Sequence, residues 1–405
     1  MRAIIATLLA LSSAAVASAQ PSPRQFVTTG GGALRTAANA PFSAAVRAGG
    51  FVYVAGAVGD GEAPLPKGDV RAQTRQTLDG IQKTLKAAGS SLANAASVTV
   101  YLRNAADAAA MNEVYATYFP TNPPARTTVI VTQPLANADG LVEISMIAIP
   151  DGGERTVIHP DGWAKVPSPY SYGIKSGNTL FLAGLVSRSG LTNANVPGDI
   201  TAQTKTVLDN GAAILKQAGM SYGDVTTARV YIADAAMFQT MNAAYRPYFG
   251  DTPPARLTVK AGLPGADFAI EVSMIAVKDA TRVAFTTPNA DGTTGRANGN
   301  LSSAIRVGNT LYVSGIIGNT PATRGDMKAQ ATEILARVER TLKAAGFAKS
   351  DIVDATVFMA DMTKFGEMNE VYRPWFGGNF PARATVGLAP VGGDTLVEMM
   401  FTAVK

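Results

Sequence analysis

Three arginines follow the same proline-rich turn in this 405-residue chain: Pro123-Pro124-Ala125-Arg126, Pro253-Pro254-Ala255-Arg256 and Pro381-Ala382-Arg383. They lie 130 and 127 residues apart. A guanidinium is a planar, permanently charged fork that matches a carboxylate bidentately. Three of them at one motif position are therefore candidate anion sites. Before each stands Met-Asn-x-x-Tyr, at Met111-Asn112 with Tyr115, Met241-Asn242 with Tyr245 and Met368-Asn369 with Tyr372. After each comes an apolar strand carrying a glutamate, at Glu143, Glu271 and Glu398. Ordered recurrence of this kind is an internal repeat and sets three domains.

Little other chemistry offers itself. The chain has no cysteine and one histidine, His159, which no other repeat copies and which reads as structural or surface. Without a His/Cys cluster no metal site is expected. Walker-type and dinucleotide glycine loops are missing, so no cofactor is expected either. Net charge is +5, yet charged residues make up only 16% and form no basic run. Nucleic-acid binders usually concentrate such charge in a stripe, so nucleic acid is not an expected partner.

The elements that must position these residues recur as well. In each copy two apolar runs flank a Gly or Asn turn, as in a β-hairpin: Ala44–Arg47 with Phe51–Ala57, Ser171–Lys175 with Thr179–Ala183, and Ser303–Arg306 with Thr310–Ser314. Thr74, Leu78, Ile81, Leu85 and Ala88 then step by a helical period, as do their counterparts from Thr204 and from Ala331. Gly89, Gly219 and Gly346 end these helices. A strand, a short helix holding Met-Asn-x-x-Tyr and two further strands complete the unit. The pattern predicts α+β domains of the order β-β-α-β-α-β-β, with both helices on one face.

The N-terminus is read as a secretory signal. Arg2 precedes an apolar run, and Ala17-Ser18-Ala19 gives a cleavage site after Ala19. That run is too short for comfortable bilayer spanning, so no stable membrane association is expected. The predicted divisions are a signal peptide at 1–19 and domains at 20–152, 153–280 and 281–405, in a periplasmic or secreted protein. Gly30-Gly31-Gly32 reads as a flexible entry.

Each repeat resembles the RidA/YjgF/UK114 family of enamine/imine deaminases, on the hairpin, A-A-G, M-N-x-x-Y, P-A-R and last-strand motifs, over nearly all of residues 24–405. The resemblance implies a chorismate-mutase-like fold and trimers with ligand clefts between subunits. Three joined copies would then form an intramolecular pseudo-trimer from one monomeric chain. It implies that Arg126, Arg256 and Arg383 hold a substrate carboxylate and that Asn112, Asn242 and Asn369 are site residues. Asparagine in a helix-start or turn role is the alternative for the latter. The tyrosines of the motif read as packing residues. The family's hairpin-entry tyrosine is kept only as Tyr170, with Phe42 and Leu301 elsewhere. Its hairpin serine is kept only as Ser314, with Ala55 and Ala183 elsewhere.

The last strand departs from the family pattern, in which the second of two glutamates is taken to activate water. That position holds Ser145, Ser273 or Met400. Serine holds a water but does not take its proton near neutral pH. Glu143, Glu271 and Glu398 lie on the same face, displaced by roughly 6–7 Å along the strand, and read as structural salt bridges. The expectation is a protein binding small carboxylate-bearing or imino-acid molecules in interdomain clefts, with weak imine hydrolysis at best. The alternative is a non-catalytic binding or scavenging module.

Overall fold

The computed structural model describes residues 24–27, 41–59 and 62–405. The expected signal segment and Gly30-Gly31-Gly32 lie outside the described residues. The first repeat runs β1 (Gln25–Val27), β2 (Ala45–Ala48), β3 (Phe51–Ala57), α1 (Val70–Ala87), β4 (Ala95–Leu102), α2 (Ala108–Tyr118), β5 (Ala125–Ile130) and β6 (Val142–Ala148). The second runs β7 (Thr156–Ile158), β8 (Gly173–Ser176), β9 (Thr179–Leu185), α3 (Ile200–Gln217), β10 (Val225–Ile232), α4 (Phe238–Tyr245), β11 (Ala255–Lys260) and β12 (Ile270–Val277). The third runs β13 (Val283–Phe285), β14 (Ala304–Val307), β15 (Thr310–Ile317), α5 (Met327–Ala344), β16 (Ile352–Met359), α6 (Phe365–Phe376), β17 (Ala382–Val386), β18 (Ala389–Pro390) and β19 (Val397–Val404). This is the α+β class read from the pattern, in three tandem copies.

The long helices show why the repeat folds as it does. Asp69, Asp199 and Asp326 each cap a helix by accepting from the amide three residues on, at 2.9–3.0 Å. Gly89, Gly219 and Gly346 close them with φ of 69°, 74° and 80°, a conformation that favours glycine. Leu78, Ile81 and Leu85 are fully buried against the sheet, each contributing about 1.5–3 kcal/mol. A buried glutamine bolts each helix to the loop entering the last strand. Gln73 accepts from the Leu141 amide at 2.7 Å and donates to the Asp139 carbonyl at 3.0 Å, and Gln203 and Gln330 repeat the pair. An amide side chain both donates and accepts, so one residue satisfies two backbone groups.

The first sheet has the order β1-β2-β3-β6-β4-β5, parallel only between β4 and β5, and the other two follow it. The short leading strand of each repeat is an addition to the predicted order, since three residues carry too little period to be seen. The second difference is β18, which leaves the third repeat to pair with β11 of the second.

The repeats close into a ring. Strand β5 meets the second repeat through an Ala125–Ser171 bridge, β11 meets the third through Ala255–Ser302, and β17 meets the first through Ser43–Ala382. At each seam a serine hydroxyl donates to a carbonyl of the proline turn at 2.6 Å: Ser171 to Pro123, Ser302 to Pro253, Ser43 to Phe380. Just before each leading strand an arginine clasps a neighbouring repeat. Arg155 donates to the Ala95 and Asn122 carbonyls, Arg282 to those of Val225 and Thr252, and Arg24 to the Val404 carbonyl and Asp351. Where the three sheets meet, Tyr101, Tyr231 and Phe358 occupy equivalent positions of one shared apolar cluster. Beside it Arg229 lies 3.9 Å from Asp354 and donates to Thr356 at 3.2 Å. The other repeats carry no charge at the position of Arg229, where Thr99 and Thr356 stand.

Arg282→Ala removes a charged donor from the seam between the second and third repeats. We expect destabilisation of about 1–3 kcal/mol, read as a lower urea midpoint.

Candidate active site between neighbouring repeats

Every P-A-R arginine is buried at a seam: Arg126, Arg256 and Arg383 are 7%, 2% and 3% exposed. Each rests on the motif tyrosine of its own repeat. The guanidinium carbon lies 4.8 Å from the Tyr115 ring centre, 4.8 Å from that of Tyr245 and 4.6 Å from that of Tyr372. A cation over an aromatic face is favoured, more so when desolvated. The tyrosines are thus packing residues, as their spacing suggests, whose packing partner is the arginine itself.

Two of the three guanidinium groups are incompletely satisfied. Nη1 of Arg126, and Nε and Nη1 of Arg256, are buried with no hydrogen-bond partner among the described residues. So are Oδ1 of Asn112 and of Asn242. In the third seam the corresponding atoms meet: Arg383 Nη1 donates to Asn369 Oδ1 at 2.9 Å. Phe42 and Phe365 also stand 5.6 Å from that guanidinium. Burial lowers the pKa of all three arginines, and the nearby tyrosine counters the effect in each case.

The facing wall comes from the next repeat. Glu271 faces Arg126 across the first seam, and Glu398 faces Arg256 across the second. Glu143 of the first repeat faces Arg383. Glu271 accepts from the Thr128 amide at 3.2 Å, and the Thr258 amide serves Glu398 in the same way. Burial pushes both carboxyls up to about 8 despite the opposing pull of these amides and arginines. Neither makes an ion pair within 4 Å among the described residues. The salt-bridge expectation for these two acids is therefore corrected: they are buried carboxyls set opposite a cation.

A glycine makes room for each acid. A Cβ on Gly56, Gly184 or Gly315 would overlap the carboxyl oxygen of Glu143, Glu271 or Glu398. In every copy the register between the hairpin strand and the last strand slips around that glycine. Such a bulge re-aims the local backbone. The glycines do not stand out in sequence, and the acids do so only as salt-bridge candidates, because a displacement counted along one strand ignores the second wall of the cleft. The clue was that each copy pairs one glutamate with one hairpin glycine.

The remaining expected site residues divide. Tyr170 sits by Arg126, and burial raises its hydroxyl pKa to about 12. Ser314 turns its hydroxyl to the seam, accepting from the Arg256 amide at 2.8 Å and donating to the Ser302 carbonyl at 2.6 Å. Its visible work is to fix the arginine's backbone. Ser145 and Ser273 are corrected as cleft residues. Ser145 lines a small interior cavity with Arg229, Asp354 and Thr356, while Ser273 pairs with Arg229 in the sheet. Met400 belongs to the shared apolar cluster. One pleat beyond the glutamate, the strand has passed the cleft and reached the molecular centre. His159 is exposed and lies 3.0 Å from the Trp163 carbonyl. Among the described residues no group of three or more His, Cys, Asp or Glu could hold a metal ion.

Gly184→Ala forces the Glu271 carboxyl aside and is expected to destabilise by about 1–3 kcal/mol, measured by urea denaturation. A pH effect follows from the raised carboxyls. The folded chain keeps the Glu271 and Glu398 protons up to about pH 8, whereas the unfolded chain loses them near 4.5. The native state therefore binds more protons in that window, and stability falls as pH rises through it. The denaturation midpoint is expected to drop between pH 5 and pH 8, with a shallower drop in Glu271→Gln/Glu398→Gln.

The model of the family described as Endoribonuclease L-PSP matches residues 33–150, 164–278 and 293–405. A RutC family protein of Sulfurisphaera tokodaii is 45% identical over 114 residues, 28% of this chain and 91% of that protein. The 2-iminobutanoate/2-iminopropanoate deaminase of Rattus norvegicus is 37% identical over 113 residues, 27% of this chain and 82% of the relative. A solved chorismatase superposes on 77% of this chain and 93% of its own with a TM-score of 0.52, at 14% identity, a likeness of fold alone. With the family model matched three times along it, the chain belongs to the RidA/YjgF (L-PSP) family as three tandem copies.

Proposed function

We propose that the clefts hydrolyse small 2-imino acids to 2-keto acids and ammonia, the seams of Arg126 and Arg256 being the working ones. The carrying observation is a buried guanidinium with unpartnered nitrogens opposite a buried carboxyl. A substrate carboxylate would supply the missing acceptors and the missing negative charge. The imine carbon would then stand between the arginine and the glutamate of the next repeat. That carboxyl, protonated near neutral pH, gives its proton to the imine nitrogen. The carboxylate so formed takes one from the water that adds to the carbon. The carbinolamine collapses with cleavage of the C–N bond, its hydroxyl proton passing through the same carboxyl to ammonia. Deaminase names among relatives support the reaction class. The Arg383 seam is the least suited, because Asn369 already occupies Nη1. The short apolar start closing on Ala17-Ser18-Ala19 supports export as the setting.

The test is ammonia release from 2-iminobutanoate generated in situ by an amino-acid dehydratase. Glu271→Gln/Glu398→Gln is expected to lower kcat about 10²–10⁴-fold, and wild-type turnover to fall as pH rises past about 8. Arg126→Ala/Arg256→Ala should abolish turnover, while Arg383→Ala retains most of it. Unchanged turnover in the glutamate variants would remove these acids from the mechanism. Keto-acid binding by calorimetry with no ammonia release would leave a binding module.

A further inference from the structure

The second cleft is unlike its counterparts. Arg256 and Glu398 line a cavity of about 630 Å³ between the second and third repeats. Ligand pockets of about 300–1,000 Å³ enclose drug-sized molecules, well beyond a short imino acid. Its outer wall carries three more arginines, Arg296, Arg337 and Arg340. Arg337 and Arg340 share one carboxylate oxygen, that of Glu333, at 2.7 and 3.8 Å. Both are also held by backbone: Arg337 Nη1 donates to the Ile317 carbonyl at 3.0 Å, and Arg340 Nε to that of Pro288 at 3.0 Å. Arg296, exposed on the segment between β13 and β14, lines the same cavity without a hydrogen-bond or ion-pair partner among the described residues. Four guanidinium groups thus line the cavity, with two acids among them. The other long helices lack this arrangement. Gly80 and Lys83 of α1, and Asn210 and Ala213 of α3, stand where α5 has Arg337 and Arg340.

We propose that this cleft takes a carboxylate ligand bearing a second anionic group: the carboxylate sits on Arg256, and Arg296, Arg337 and Arg340 receive the second anion. The proposal rests on the reading of Arg256 as a carboxylate fork and adds the ligand class. A buried fork at one end and a cationic wall at the other suit an elongated dianion. Backbone-held guanidinium groups lose little further freedom when they bind it. The second anion is a carboxylate or a phosphate, both of which fit a guanidinium fork.

Calorimetry at low ionic strength tests this with 2-oxoadipate and 3-phosphoglycerate against the monoanion 2-oxohexanoate. At least one dianion should bind tenfold or more tighter, the gain expected of one charge-assisted contact; which one wins names the second anion. Arg296→Ala should cut that preference severalfold and leave 2-oxohexanoate binding unchanged. Arg340→Gln should act likewise, but Arg340 also holds the Pro288 loop, so the partnerless Arg296 gives the cleaner variant. Arg256→Ala should weaken all three ligands. Equal affinity for monoanion and dianions, or a preference unmoved by Arg296→Ala, overturns the proposal. Ammonia release retained without dianion preference would sink this inference alone. Dianion preference without ammonia release would sink the deaminase reading alone.

Discussion

Burying a guanidinium is costly unless something answers its charge and its donors. Three such groups lie inside this chain, and much of the interdomain structure is arranged around them. A tyrosine face from the same repeat supports each one. The facing carboxyl arrives from the next repeat, lodged against a glycine that leaves space for it. Neither wall makes a cleft by itself. The seams are fastened by serine hydroxyls on the proline turns and by the arginines ahead of the leading strands. Fold stability and ligand chemistry therefore share the same surfaces.

Threefold repetition explains the ring, and departures from it explain the individuality of the clefts. The first has a tyrosine beside its arginine, the second a cationic cavity, the third a guanidinium already engaged by asparagine. Toward the molecular centre, Arg229 and Asp354 break the symmetry with one pair of unlike charges. Three identical subunits would have to place that arginine three times around one axis. A single chain places it once.

Much of this was legible in the sequence. The repeat count, the α+β class, the long helices with their glycine ends and the arginine motif all announce themselves by residue type and spacing. The leading strands do not, being three residues long, and β18 does not, because it joins another repeat's sheet. At the site, the arginines were legible because a cation in an apolar motif is conspicuous. The salt-bridge reading of Glu271 and Glu398 fails because their meaning lies across a seam. Glu271 belongs to Arg126, 145 positions away in the chain, and reasoning along one strand has no access to that pairing. Ser145 and Ser273 are candidates because they stand at the family's second-glutamate position, but the strand face changes neighbours within one pleat.

The ring is closed by its far ends. Ser43 is bonded to Phe380 and Pro381, 337 and 338 residues later, and Arg24 reaches Val404, one residue from the last. The Arg126 cleft can assemble from the first two repeats as a chain emerges, whereas the Arg256 cleft awaits Glu398 on β19 and the Arg383 seam joins the third repeat back to the first. Contacts of such long range form late, since the loop they close is costly to restrict. Until then the first repeat offers its unpaired seam to any other copy of the third. Covalent linkage answers that hazard with a high local concentration of the correct partner. Seen this way, joining three copies in one chain is a device of assembly as much as of chemistry.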